Sequence, residues 1–94
     1  MIPNENEKFN KLLDREIYKL SIVFQKVNLK SNEIDDLWKM ILSYWKDCKY
    51  FYESGKKLEA FELVNYIWGL LDALANLDLI EVPGDIKKWF KVEQ

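Results

Sequence analysis

The residues best suited to bind something lie along one side of a predicted helix in the C-terminal half. At about 100° per residue, Asn65, Gly69, Asp72 and Asn76 share that side, and Tyr66 flanks it. A glycine inside a helix lowers its stability by about 1 kcal/mol relative to alanine, so the presence of Gly69 requires an explanation. One explanation is that the missing side chain leaves a shallow groove, which receives a partner's backbone or side chain. The other, a commoner use of glycine, is close packing of the tail or another helix, whose polar groups Asp72 and Asn65 would bond.

Basic side chains form a second candidate surface on the first predicted helix. One sector of about 100° holds Lys8, Lys11, Arg15, Lys19 and Lys26. Such a stripe can track the phosphates of RNA or DNA, with an affinity that falls steeply with salt. The net charge of −2, the flanking acidic residues and the lack of aromatic residues on this face favour a solvated helix surface instead. Nucleic-acid binding is therefore the alternative interpretation.

Catalytic chemistry finds little support in the composition. The chain has no histidine, which removes the commonest general base and transition-metal ligand. A single cysteine, Cys48, excludes an internal disulfide and a multi-cysteine zinc site. Glu16 falls inside an apolar stripe, where a perturbed carboxylate could pair with Asp72 as acid and base, but a position at the edge of the core with its head in water is preferred. We expect no catalytic, cofactor-binding or metal-binding residues and no enzymatic activity.

The C-terminal segment mixes aromatic and basic residues. Trp89 and Phe90 stand among three lysines. This composition could suit a membrane surface or a partner's groove, but the segment is too short to anchor alone. We expect the two rings to dock onto the helices or across a dimer.

Three long helices must position these residues. Apolar residues recur at three- and four-residue spacing, Asn4 followed by Glu7 suggests a capping box, and Gly55 and Pro83-Gly84 mark helix ends. Few glycines and prolines leave little turn chemistry for a sheet protein. The prediction is an all-α, antiparallel up-down-up three-helix bundle with a short C-terminal tail, in a single domain over residues 1–94. The predicted segments are helices over about 5–27, 32–54 and 57–78 and a tail over 79–94.

A motif in the second half of the chain carries a family resemblance. Its residues are Asp47, Phe51, Gly55, Ala60 and then Tyr66-x-x-Gly69-x-Leu71-Asp72-Ala73. They resemble the core motif of the archaeal DUF357 proteins, which implies a short, all-helical cytoplasmic protein of archaeal origin and unassigned function. The chain departs from the family pattern where an alanine and a histidine often precede the glycine, since Ile67 and Trp68 stand there, and at Leu70, where a tryptophan often follows. The resemblance adds no activity.

Together these features predict a small, non-enzymatic interaction module. It would bind an unknown protein, or a second copy of itself as a homodimer, through the Asn65–Gly69–Asp72 face and the aromatic tail. No apolar run approaches membrane-spanning length, so we expect no membrane association and a cytoplasmic location. The alternative is a factor associated with RNA or a nucleoprotein through the basic face of the first helix.

Overall fold

The computed structural model describes residues 4–92 and confirms the all-α prediction. The three helices of the bundle are α1, Glu5–Lys26; α2, Asp35–Glu53; and α3, Lys57–Asn76. The last two residues of the predicted tail lie outside the described range.

Local sequence signals account for where these helices begin and end. The Asn4 side chain accepts a hydrogen bond from the backbone N–H of Glu7 at 2.8 Å and so caps α1. The Ser31 hydroxyl accepts one from the Glu33 N–H and opens a short 3₁₀ turn, Asn32–Ile34, which leads into α2. Gly55 separates α2 from α3 with φ of +79°, a left-handed conformation that glycine adopts without a steric penalty.

Helices α2 and α3 form a closely packed antiparallel hairpin, and α1 packs against it. Apolar residues from all three helices form the core; those fully buried include Leu13, Leu20, Ile41, Ile67 and Leu71. Aromatic side chains bridge the larger separation between α1 and α2, where Phe24 stacks on Trp45 with ring centroids 5.4 Å apart. A further edge-to-face pair, Phe9 and Phe61, joins α1 to α3 at 5.2 Å.

The tail returns to the bundle and is fastened at its start by a short strand pair. Strand β1, Asn28–Leu29, lies in the connection between α1 and α2 and pairs antiparallel with β2, Ile80–Glu81. The backbone N–H of Lys30 donates to the Leu79 carbonyl at 2.9 Å and continues this pairing. Two-residue strands are too short to show an alternating hydrophobic pattern, so they could not be predicted from the sequence.

The remainder of the tail fills one end of the groove between α1 and α3. A 3₁₀ turn, Lys87–Trp89, follows β2. The side chains of Ile86 and Phe90 on either side of it are buried, and the Phe90 ring packs edge-to-face on Trp68 at 5.3 Å. Lys26 near the end of α1 is ion-paired with Asp85. The tail is therefore part of the folded structure and forms a wall beside the open part of the groove.

Candidate binding cleft

An open cleft lies where the tail stops covering the groove between α1 and α3. Its volume is about 290 Å³. This is at the lower limit of the roughly 300–1,000 Å³ of sites for small molecules and cofactors, and it is enough for one large side chain. The residues that line it come from α1, α3 and the tail: Glu16, Lys19, Asn65, Trp68, Gly69, Asp72, Trp89 and Lys91. We call this site the Gly69 cleft.

Gly69 forms an open part of the cleft rather than a point of close packing. A Cβ atom built at Gly69 would meet nothing within 4 Å. The close-packing interpretation of this glycine is therefore wrong for the described residues, because no atom of the tail or of another helix lies within 4 Å of that Cβ position. What the glycine leaves beside the helix is free space.

Asp72 and Asn76 hold the tail. Asp72 Oδ1 accepts a hydrogen bond from the backbone N–H of Lys91 at 3.0 Å, and Asn76 Nδ2 donates to the Lys91 carbonyl at 2.8 Å. The same Asn76 amide also donates to the Asp72 carbonyl at 2.7 Å. Of the four residues predicted to share this side of α3, Asp72 and Asn76 thus bond the tail. The bond made by Asp72 is one that the packing interpretation predicted. The other two, Asn65 and Gly69, border open space.

Glu16 faces the cleft instead of extending its head into water. Its side chain is 19% exposed, and its Oε2 atom is buried without a hydrogen-bond partner among residues 4–92. Two cations lie near that oxygen, Lys19 Nζ at 3.5 Å and Arg15 Nε at 3.8 Å. These distances are within ion-pair range but beyond a good charge-assisted hydrogen bond, which is about 2.7–2.9 Å long. Glu16 is therefore charge-compensated and under-bonded.

Lys19 lies between Glu16 and the Trp89 ring of the tail. Its ammonium lies 5.8 Å from the centroid of the Trp89 ring, within the range of a cation–π interaction. Its side chain is 25% exposed, which is low for a lysine. The cleft thus already holds one cation of the chain itself, between a carboxylate and an indole face.

The other polar groups of the cleft retain hydrogen-bonding capacity. Asn65 uses its amide nitrogen on the Phe61 carbonyl at 3.2 Å, while its oxygen accepts no hydrogen bond from any described residue. Asp72 forms no ion pair within residues 4–92 and engages one of its two oxygens with Lys91. The buried Trp68 Nε1 finds no acceptor among residues 4–92. The lining therefore offers three under-used oxygen acceptors and one unpaired indole donor.

Three of the predicted contact residues do not line the cleft: Asn76, which holds the tail, and also Tyr66 and Phe90. Tyr66 is 52% exposed and packs edge-to-face on Tyr44 of α2 at 5.1 Å, so it borders the hairpin rather than the cleft. Phe90 belongs to the core, whereas its neighbour Trp89 lines the cleft. Trp68, Lys91 and Glu16 are the cleft residues that sequence reasoning did not assign to a binding face. Trp68 is next to Gly69 in sequence, but its helical spacing places it on the apolar stripe that was predicted to form the core.

The basic face of α1 is partly neutralised by the fold. Lys26 is paired with Asp85 of the tail, and Lys19 is held by Glu16 and Trp89. Arg15, with a 61% exposed side chain, and the exposed residues Lys8 and Lys11 are the remaining cations of this face. Nucleic-acid binding through them stays a prediction.

Cys48 lies away from the cleft, in the core between α2 and α3. The thiol is fully buried and donates to the Ala60 carbonyl at 3.4 Å. Burial raises the pKa of the Cys48 thiol to about 11, which keeps it protonated near neutral pH. This agrees with the sequence interpretation of Cys48 as a small buried hydrophobe.

A cluster of metal-ligand side chains and a membrane-spanning helix are both absent from residues 4–92. Within residues 4–92, no group of three or more cysteine, aspartate or glutamate side chains is placed to hold a metal ion. None of the helices in that range combines the length and the apolar character needed to cross a membrane.

The fold and the cleft define a small three-helix protein with a polar, side-chain-sized site. The family model described as Protein of unknown function (DUF357) matches residues 8–80, and the chain belongs to this family. That match includes the α1 and α3 walls of the Gly69 cleft and ends before Trp89 and Lys91. Neither a curated protein nor a solved structure matches the chain.

Proposed function

We propose that this protein is a non-enzymatic interaction module whose Gly69 cleft receives one side chain of a partner protein. The observation that carries the proposal is the mid-helix glycine beside open space. Gly69 carries the usual penalty of about 1 kcal/mol for glycine in a helix, and no packing contact of the described residues accounts for it. A glycine that borders a cleft allows an outside group to approach the helix backbone closely.

The size and lining of the cleft support a side chain rather than a cofactor as the occupant. A volume of about 290 Å³ is small for a cofactor, and the site is open on one side to a partner's surface. Aromatic walls with a few under-bonded polar groups resemble the anchor pockets of protein interfaces, where one buried residue contributes much of the affinity. The proposal places the protein in the cytoplasm, where the single thiol stays reduced.

A matched pair of variants tests this function. Gly69→Leu fills the cleft, whereas Ala73→Leu adds a similar side chain one turn further along α3, at an exposed position that does not line it. Each tagged protein is incubated with extract of the source cells, with and without nuclease treatment, and bound proteins are cross-linked and identified by mass. Circular dichroism checks that each variant keeps its helicity.

We expect wild type and Ala73→Leu to retain the same protein and Gly69→Leu to lose it. Equal capture by both variants would place the interface elsewhere. A column that binds no protein at physiological concentration would contradict the interaction role itself. Capture that disappears on nuclease treatment would instead support the basic face of α1.

A further inference from the structure

We infer that the partner side chain received by the Gly69 cleft is an arginine, whose guanidinium takes the position now held by the Lys19 ammonium. This inference rests on the proposed function and specifies its ligand. The starting observation is the Lys19 ammonium itself, which lies 3.5 Å from Glu16 Oε2 and 5.8 Å from the centroid of the Trp89 ring. A carboxylate and an indole face together bind cations, and this part of the cleft already binds one.

The unused hydrogen-bonding capacity of the cleft calls for a ligand rich in donors. Among the described residues, Glu16 Oε2 has no hydrogen-bond partner, Asp72 has one oxygen not used by Lys91, and the Asn65 side-chain oxygen accepts no hydrogen bond. All three are acceptors, and two of them belong to carboxylates. A guanidinium carries five N–H donors in a planar fork and has no acceptor, so it is complementary to this set.

An ammonium or an anion would fit less well. A partner's lysine would exchange one ammonium for another at Glu16 and would gain little. A guanidinium is less strongly hydrated than an ammonium, stacks on the flat face of Trp89 and can reach a second acceptor at the same time. An anion would face two carboxylates, Glu16 and Asp72, and of the two lysines that line the cleft, Lys19 and Lys91, the first is already committed to Glu16.

Entry requires the Lys19 side chain to move. Glu16 Oε2 is shielded from solvent, and Lys19 is the closest cation to it. An incoming arginine therefore competes with an internal ligand, and its apparent affinity is the intrinsic affinity multiplied by the fraction of time that Lys19 leaves the site free. Removing this competitor should strengthen binding, and loss of folding cannot imitate such a gain.

The test uses the full chain labelled with ¹⁵N and three small probes. These are Nα-acetyl-arginine amide, the corresponding citrulline amide, which is neutral and nearly isosteric, and the corresponding lysine amide. The indole N–H signals of Trp68 and Trp89 report on the cleft, and that of Trp45, buried between α1 and α2, is the internal control. We expect the arginine probe to shift the first two signals with a Kd of about 1 mM, the affinity that ligands of this size reach. Lysine amide should bind at least about fivefold more weakly, and citrulline amide should leave the signals unchanged.

Charge-removing variants then assign the contacts. Glu16→Gln should weaken arginine binding at least about tenfold, as expected for loss of a charged hydrogen-bond partner. Asp72→Asn keeps the oxygen that holds Lys91 and removes only the charge, so it should weaken binding by a smaller factor with the tail still in place. Lys19→Met should strengthen binding about threefold to tenfold. A weaker response of Lys19→Met than wild type would identify Lys19 as a ligand-binding residue and overturn the inference.

The remaining outcomes separate this inference from the proposed function. An equal response to arginine and citrulline amides, or to arginine and lysine amides, would refute the guanidinium assignment. Free arginine that binds at least about tenfold more tightly than its blocked amide would indicate a small-molecule site instead of a partner's side chain. If a captured protein is lost on Gly69→Leu but unaffected by Glu16→Gln and Asp72→Asn, the interaction function stands and the arginine inference fails.

Discussion

Replacing Gly69 by alanine should stabilise the protein, because glycine is a poor helix former and the added methyl group meets no neighbour. The substitution removes a helix-interior penalty of about 1 kcal/mol. A Cβ atom at this position has nothing within 4 Å, so no steric cost offsets the gain. We expect the free energy of unfolding to rise by about 0.5–1 kcal/mol. For a chain of 94 residues, 1 kcal/mol corresponds to a rise in Tm of about 4–8 °C.

Gly55→Ala is the matched control for this experiment and should have the opposite sign. Gly55 also has open space around its Cβ position, but its φ of +79° is strained for any residue with a side chain. The left-handed conformation costs such a residue about 1–2 kcal/mol. The same chemical change is thus predicted to stabilise the protein in the middle of α3 and destabilise it between α2 and α3.

Urea unfolding monitored by circular dichroism measures both variants. With a slope of about 1 kcal/mol per molar urea, the midpoint of Gly69→Ala should rise by roughly 0.5–1 M and that of Gly55→Ala should fall. A destabilised Gly69→Ala would show that an element packs against this glycine and that the cleft is closed. If the cleft binds a partner, Gly69→Ala should also bind it more weakly despite its greater stability, the usual trade-off at functional sites.

Three further predictions concern the tail and the core. Phe90→Ala removes a buried ring from Trp68 and should lower the free energy of unfolding by about 3–5 kcal/mol in urea titrations; a loss below 1 kcal/mol would mean that the tail docks without it. Burial raises the pKa of the Cys48 thiol to about 11, so the folded state favours the protonated thiol. This contribution to the free energy of unfolding is complete below about pH 9 and is lost as the pH rises towards 11. Wild type should therefore lose about 2 kcal/mol more stability than Cys48→Ala between pH 8 and pH 11, and parallel pH curves would contradict this. The hydrogen bond from Lys26 lowers the pKa of the Asp85 carboxyl, so its contribution is present above about pH 4 and lost on acidification. Acid titration followed by the indole signal of the tail should show this step in wild type and not in Lys26→Met.

The helices were predictable from local rules, because their starts, ends and buried faces depend on neighbouring residues. The Asn4 cap and the left-handed Gly55 are determined within a few positions of sequence. The Gly69 cleft was only half predictable. The helical row of Asn65 and Gly69 identified one wall, but Glu16 and Trp89 reach it through the pairing of α1 with α3 and the return of the tail. Those contacts join residues about 50 or more positions apart, and no local pattern encodes them.

The strand pair between β1 and β2 has a consequence for the order in which the molecule is completed. It joins the connection after α1 to the segment after α3, so it cannot form until the chain has been synthesised beyond α3. Local helical contacts form early, whereas contacts that close a long loop of chain form late. Trp89 and Lys91 follow this pairing, and the tail wall of the cleft is therefore the last part to assemble. By the same reasoning it opens first in the native state, and its amide protons should exchange with solvent well before those of the α2–α3 hairpin.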